Sequence, residues 1–253
     1  MSFVGKGALF AILPFFSAIW AQTSPVINLV ANAEGENPKI APNTWLEVKG
    51  ANLSKAGDTR VWQGSDFVNG QMPTKLDGVS VTVNGKSAYV YYISPTQVNI
   101  LTPPDTMPAT VLVQVTNNGA TSQAYTAQTQ ALSPSFFVLN GGPYVVAQHS
   151  ADNSLVGPTA MFPFPTSPAK PGETVVIYAN GFGPTSVPVV SGSSSQGGTL
   201  APLPVVTVGG LTATVQYAGL GFPGEFQINV VIPQGLADGD QIITRTQNLE
   251  PGI

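Results

Sequence analysis

The stretch Pro42-Asn-Thr-Trp-Leu-Glu-Val-Lys-Gly-Ala-Asn-Leu53 returns in altered form as Pro171-Gly-Glu-Thr-Val-Val-Ile-Tyr-Ala-Asn-Gly-Phe182, 129 residues further on. Each version reads as an apolar strand running into an Asn/Gly turn. Two more blocks follow in the same order. Val81-Thr-Val-Asn-Gly-Lys-Ser-Ala88 returns as Val206-Thr-Val-Gly-Gly-Leu-Thr-Ala213 after 125 residues. Gln97-Val-Asn-Ile100 with Pro103 returns as Gln227-Ile-Asn-Val230 with Pro233 after 130 residues. A kept order with drifting offsets is what loop insertion does to a duplicated unit. The blocks predict two copies of one fold.

The same blocks indicate the fold class. Asn84-Gly85 and Gly209-Gly210 each sit between alternating runs. A two-residue type I′ turn needs positive φ at both central positions, which Asn and Gly tolerate, so each pair predicts a hairpin. In the strand after the hairpin, Ala88, Val90 and Tyr92 are expected to face the core together, and Ala213, Val215 and Tyr217 repeat them. In copy one, residues 110–116, the Asn117-Asn118-Gly119 turn and residues 121–129 predict a further hairpin. Copy two offers Gln241 to Arg245 as its last strand, which predicts an incomplete final strand and an edge open to pairing. Gln97/Asn99 and Gln227/Asn229 occur in both copies, so a structural role is expected, with their side chains on backbone groups of nearby loops.

Composition agrees with an all-β chain. Charged residues make up 9%, against about 25% in typical soluble domains. With 27 Gly and 23 Pro, the chain suits many short strands and turns. The expected organisation is a signal peptide (1–21), a first immunoglobulin-like β-sandwich (22–133), an ordered connector with short strands (134–170) and a second sandwich (171–253). The signal rests on Lys6, then an apolar run from Ala8 to Trp20, then Ala21 before a polar stretch. Export to the cell surface, the extracellular space or the periplasm follows from it. No later run is long and apolar enough for a membrane-spanning helix.

Several function classes lose ground at once. Nine Lys and Arg, scattered, against 13 Asp and Glu give no basic patch for nucleic acid. One histidine, His149, and no cysteine exclude ordinary zinc sites. A Ser-His-acid triad would have to use His149, and no Gly-x-Ser-x-Gly elbow accompanies it; a hydrogen bond within the connector is the simpler expectation. Asp152-Asn153 and Asp238-Gly239-Asp240 read as turns rather than as calcium loops. No phosphate loop or dinucleotide fingerprint occurs, and no cofactor is expected.

Beyond these patterns stand the stretches Ile40 to Trp45, Asp66 to Gly70, Leu76 to Gly85, Tyr91 to Ile100, Ala169 to Thr174 and Gly181 to Thr185. Together they resemble the IPT/TIG class of immunoglobulin-like domains, and within it the Solibacter-type C-terminal domain of bacterial secreted proteins. The resemblance implies a secreted β-sandwich module and supplies no catalytic residue.

One asymmetry between the copies marks a candidate site. Tyr89 and Tyr91 are expected to face outward, while their counterparts are Thr214 and Gln216. The long loop Ser54 to Lys75 of copy one adds Trp62 and Phe67, where copy two is rich in Gly and Ser. Trp62, Phe67, Tyr89 and Tyr91 therefore form either a satellite core, with the loop or the second domain folded over them, or an aromatic surface for a protein or carbohydrate partner. The expected function is an exported, non-catalytic interaction module at the cell envelope. The alternative is an accessory, polysaccharide-binding component of an extracellular hydrolase system.

Overall fold

The computed structural model describes residues 23–246. The expected signal peptide lies outside the described residues, as do residues 247–253 beyond the last strand. The described residues form an all-β protein.

The first half carries strands β1 (Val26–Asn32), β2 (Lys39–Ile40), β3 (Trp45–Ala51), β4 (Arg60–Val61), β5 (Lys75–Leu76) and β6 (Val79–Val83). It continues with β7 (Lys86–Ser87), β8 (Tyr89–Ile93), β9 (Gln97–Leu101), β10 (Thr110–Asn117), β11 (Ala120–Thr121) and β12 (Tyr125–Thr129). One sheet has the order β1-β3-β9-β8-β4. The other runs β2-β12-β10-β6-β5, with β7 and β11 as short flanking pieces. Alternation explains the layering. Val79, Val81 and Val83 on β6 and Val111, Val113 and Val115 on β10 turn inward, every second residue. They meet Leu46, Val48, Val98 and Ile100 from the other sheet in one buried cluster.

The second half carries β13 (Ser135–Phe136), β14 (Ala147–His149), β15 (Leu155–Val156), β16 (Thr166–Ser167) and β17 (Thr174–Asn180). After these come β18 (Val205–Val208), β19 (Leu211–Phe222), β20 (Glu225–Val231) and β21 (Ile243–Thr246). Their order is β16-β15-β14-β17-β20-β19-β18-β21, with β13 also on β17. The segment 134–170, read from sequence as a connector, thus contributes β13 to β16 to the sheet of the second half. Phe136 and Ala147 from it join the core formed by Ile177, Phe182, Val206, Phe226 and Ile228. Leu53 and Phe182, matched by the repeat, are both fully buried, each in its own core.

The predicted hairpin turns have the required geometry. Asn84 and Gly85 have φ of 52° and 75°, and Gly209 and Gly210 have 57° and 81°. The strand after the hairpin departs from strict alternation. A register shift lies between Val90 and Tyr92, and another between Val215 and Tyr217. An extra residue enters each strand there, as a β-bulge does. The core therefore receives Val90 and then Ile93 in the first half, and Ala218 in the second. Tyr92 and Tyr217, expected in the core, are only half-buried. The Gln/Asn pairs also depart from expectation. Gln97 donates from Nε2 to Asn99 Oδ1 at 2.8 Å, and Gln227 to Asn229 at 2.8 Å, so each pair satisfies itself.

The halves meet through buried polar contacts. Asn32, Ser133 and Asn180 are fully buried. Asn32 Nδ2 donates to the Ser133 carbonyl at 2.6 Å, and Asn180 Nδ2 to Asn32 Oδ1 at 3.2 Å. The Ser133 N–H donates to the Gly181 carbonyl at 2.9 Å. Such a cluster carries no charge and leaves few unpaired groups, so it holds the halves without the desolvation cost of an ion pair. At the far end, β21 pairs with β18, and Arg245 faces inward opposite the fully buried Val206. Its guanidinium lies 5.3 Å over the Phe136 ring and donates to the Pro134 carbonyl. Among the described residues, no strand covers the outer edge of β21.

Candidate functional site

The expected aromatic residues come together, though not all at the surface. Trp62 follows β4 and its N–H donates to the Tyr91 carbonyl at 2.7 Å, which brings the loop onto β8. The Trp62 ring then meets three others edge to face: Trp45 at 5.7 Å, Tyr91 at 5.2 Å and Phe67 at 4.9 Å. Trp45 also meets Tyr91 at 5.5 Å. Trp45 was not singled out by comparing copies, because it lies within the repeated block as an ordinary strand position. Edge-to-face pairs satisfy the ring quadrupoles and add about 0.5–1.5 kcal/mol each beyond area burial.

Of the two expected alternatives, Tyr89 takes the satellite core. It is 7% exposed and packs with Met72 and Leu101 as a satellite core, with Trp45, Trp62 and Phe67 at its margin. Its hydroxyl lies 2.6 Å from Ser191 Oγ. The cover is a loop of the second half. The Met72 N–H donates to the Gly192 carbonyl at 2.8 Å, and the Ser194 N–H to the Gly70 carbonyl at 2.8 Å. Gln196 Oε1 accepts from both Asn43 Nδ2 and the Gly224 N–H. Trp45 Nε1 donates to the Pro223 carbonyl at 3.0 Å. Tyr91 is the residue inserted at the bulge, and it stays exposed at 36%. Trp62 and Phe67 are half-buried. The open surface is thus the Tyr91 ring with the rims of Trp62 and Phe67, flanked by exposed Val61 and Val68.

Charge pins this loop. Arg60 donates to Asp66 at 2.8 and 3.1 Å and to Asp77 at 2.6 and 3.0 Å, so one guanidinium spans two carboxylates. These bonds hold both carboxyls below the usual carboxylate range. The Asp66 carboxylate also accepts the Gln63 N–H at 2.7 Å, capping a short 3-10 turn at 64–66.

His149 has a geometry that invites a catalytic reading. Its Nε2 lies 3.0 Å from Ser167 Oγ, and its Nδ1 lies 2.9 Å from Glu173 Oε1. Two features oppose a serine nucleophile. Nε2 also lies 3.2 Å from the Ser167 carbonyl, which can only accept, so the nitrogen is drawn to donate rather than take a proton. The next residue is Pro168, which has no N–H to offer an oxyanion. The Glu173 contact is off-axis, and Oε1 has no aligned hydrogen-bond donor. His149 straps β14, β16 and the start of β17 together. The turn carboxylates are engaged locally: Asp152 accepts from Ser154, and Asp240 accepts the Tyr144 hydroxyl. Among the described residues, no group of three or more His, Cys, Asp or Glu side chains comes together to hold a metal. No helix among them is long and apolar enough to cross a membrane.

Residues 43–143 match the IPT/TIG domain family model. No curated protein matches the sequence. Similar solved structures include a gamma-CGTase from alkalophilic Bacillus clarkii (15% identity, TM-score 0.30, 63% of this chain and 23% of that one). Another is the plexin A4 extracellular region, domains 1 to 8 (14% identity, TM-score 0.32, 96% of this chain and 19% of that one). A third is a surface glycan-binding protein from Prevotella bryantii (13% identity, TM-score 0.27, 88% of this chain and 40% of that one). The chain spans less than half the length of each.

Proposed function

We propose that this chain is an exported, non-catalytic interaction module, two IPT/TIG-like sandwiches in tandem acting as one unit, which grips a protein partner at the cell envelope. The contact surface is Tyr91 with the exposed rims of Trp62 and Phe67. The observation that carries this reading is the placement of Tyr91. A bulge lifts the ring out of the core, and Trp45 and Trp62 buttress it edge-on. A buttressed ring loses little side-chain entropy on binding, which is why Tyr and Trp anchor interfaces. Copy two keeps the bulge and carries exposed Gln216 there, so the bulge serves the fold and the tyrosine serves something else.

A protein fits better than a glycan. Sugars stack on ring faces, and a glycan chain needs several faces in a row. The Trp62 ring stands at 65°, 72° and 84° to its three neighbours, so the rings meet edge to face and do not lie side by side as a flat row. Apolar side chains of a partner can pack into such a herringbone.

The test is an array of envelope proteins and glycans probed with the wild-type chain and with Tyr91→Gln. Retention on an envelope protein that drops with the variant supports the reading. Retention on glycans alone would move the function to the polysaccharide-binding alternative.

A further inference from the structure

We infer that the contact surface spans both halves, with Phe222 as its second anchor, so that the protein partner bridges the junction between them. This rests on the reading that Tyr91 meets a protein partner. It adds a requirement: the partner's apolar patch must reach from Tyr91 to Phe222.

Comparison of the copies isolates the feature. Ile93 opposite Val98 in β8 and β9 matches Ala218 opposite Ile228 in β19 and β20. In the first half the hairpin closes at once beyond this pair, over residues 94–97, where the Ser94 N–H donates to the Gln97 carbonyl at 2.8 Å. In the second half it runs on through residues 219–227, with Leu220 opposite Phe226 and Phe222 opposite Glu225. Leu220 and Phe226 are buried in the second core, and the Leu220 N–H donates to the Gly198 carbonyl at 2.9 Å, so the extension is a stiff arm. The first half closes its sandwich without such an arm, so the tip beyond Leu220 has another reason.

That tip is seated on the first half. Trp45 Nε1 donates to the Pro223 carbonyl at 3.0 Å, and the Gly224 N–H to Gln196 Oε1 at 3.1 Å. Gly224 has a φ of 66°, and a Cβ there would fall 2.4 Å from Leu101 Cδ1 and 3.0 Å from Trp45 Nε1, so a glycine is what lets the tip come this close. The Trp45 ring in turn stands 5.5 Å from Tyr91. Phe222, beside this seat, is 65% exposed. A lone exposed aromatic needs no explanation. Phe222 is different, because a stiff arm carries it to the ring that buttresses Tyr91 and still leaves it open. Two anchors on one rigid frame engage together with little further ordering cost, and they select a partner by the spacing between them.

The probe is the purified envelope protein that the array retains with the wild-type chain and loses with Tyr91→Gln. Its affinity is measured for wild type, Phe222→Ser and Phe222→Tyr, together with hydrogen exchange of the Trp45 indole N–H in each free chain. Phe222→Ser should bind about fivefold more weakly, or worse, with the indole protection unchanged, and Phe222→Tyr should stay within about twofold of wild type. Equal affinity of wild type and Phe222→Ser for a protein that Tyr91→Gln weakens would overturn the second anchor and leave the Tyr91 surface standing. Weaker binding by a Phe222→Ser chain whose indole N–H exchanges faster would overturn it too, because the ring would then act through the seat of Trp45. If no envelope protein is lost with Tyr91→Gln, the reading at Tyr91 fails and the bridged surface fails with it.

Discussion

The Trp62 ring stands 5.2 Å from the Tyr91 ring at 84° to it, so the edge of one fills the space beside the other. The two residues divide the labour. Trp62 packs against both the main and the satellite core, whereas Tyr91 is 36% exposed. Removing Trp62 should cost stability, and removing Tyr91 should not. A fully buried Trp→Ala costs about 3–5 kcal/mol, so half-buried Trp62→Ala should cost about 2–3 kcal/mol. Tyr91→Gln should stay within about 1 kcal/mol of wild type. Urea denaturation of both variants measures the difference.

Gly181 is a pivot of the junction. It has a φ of 75°, and a Cβ there would fall 2.0 Å from the Ser133 carbonyl oxygen. Gly181→Ala should therefore force Ser133 away from Asn32 and cost more than about 2 kcal/mol. Gly57→Ala is the control. Gly57 also has positive φ, 86°, but a Cβ there meets nothing within 4 Å, so its cost should be about 1 kcal/mol. Denaturation midpoints of the two variants separate backbone strain from collision.

The loop that carries Trp62 and Phe67 should loosen in acid. Hydrogen bonds from Arg60 hold Asp66 and Asp77 below their usual range. For depressed carboxyls the stabilisation is present above the unfolded value of about 3.8 and disappears as pH falls through the folded values. Trp62 fluorescence should shift in that acid window, and proteolysis between Ser54 and Lys75 should rise with it. Arg60→Gln should show loosened-loop behaviour already at neutral pH. The pairs are solvent-exposed enough that salt should weaken the effect.

Local chemistry accounts for what was legible beforehand. The hairpin turns were readable because Asn84-Gly85 and Gly209-Gly210 admit few other conformations. The strand pattern was readable up to Val90 and failed after it. A bulge changes the period by one residue, and strict alternation then assigns Tyr92 to the wrong environment. Whether Tyr89 is open or covered was undecided for a long-range reason. The loop that buries it lies about a hundred positions away, at Ser191, in a Gly/Ser stretch with no periodicity to interpret. The apolar character of 134–170 was visible, but its pairing with β17 was not, since two- and three-residue strands carry too little pattern. Gln97 and Asn99 were recognised as structural, yet their bond to each other reflects strand geometry, which sets residues two apart on one face.

The most direct test of the account is the affinity of an envelope protein retained on the array, measured for the wild-type chain and for Tyr91→Gln at the same pH and salt. The account predicts at least fivefold weaker binding by the variant, which is about 1 kcal/mol, at unchanged stability. Equal affinities, or identical array profiles for the two proteins, blank ones included, would contradict it.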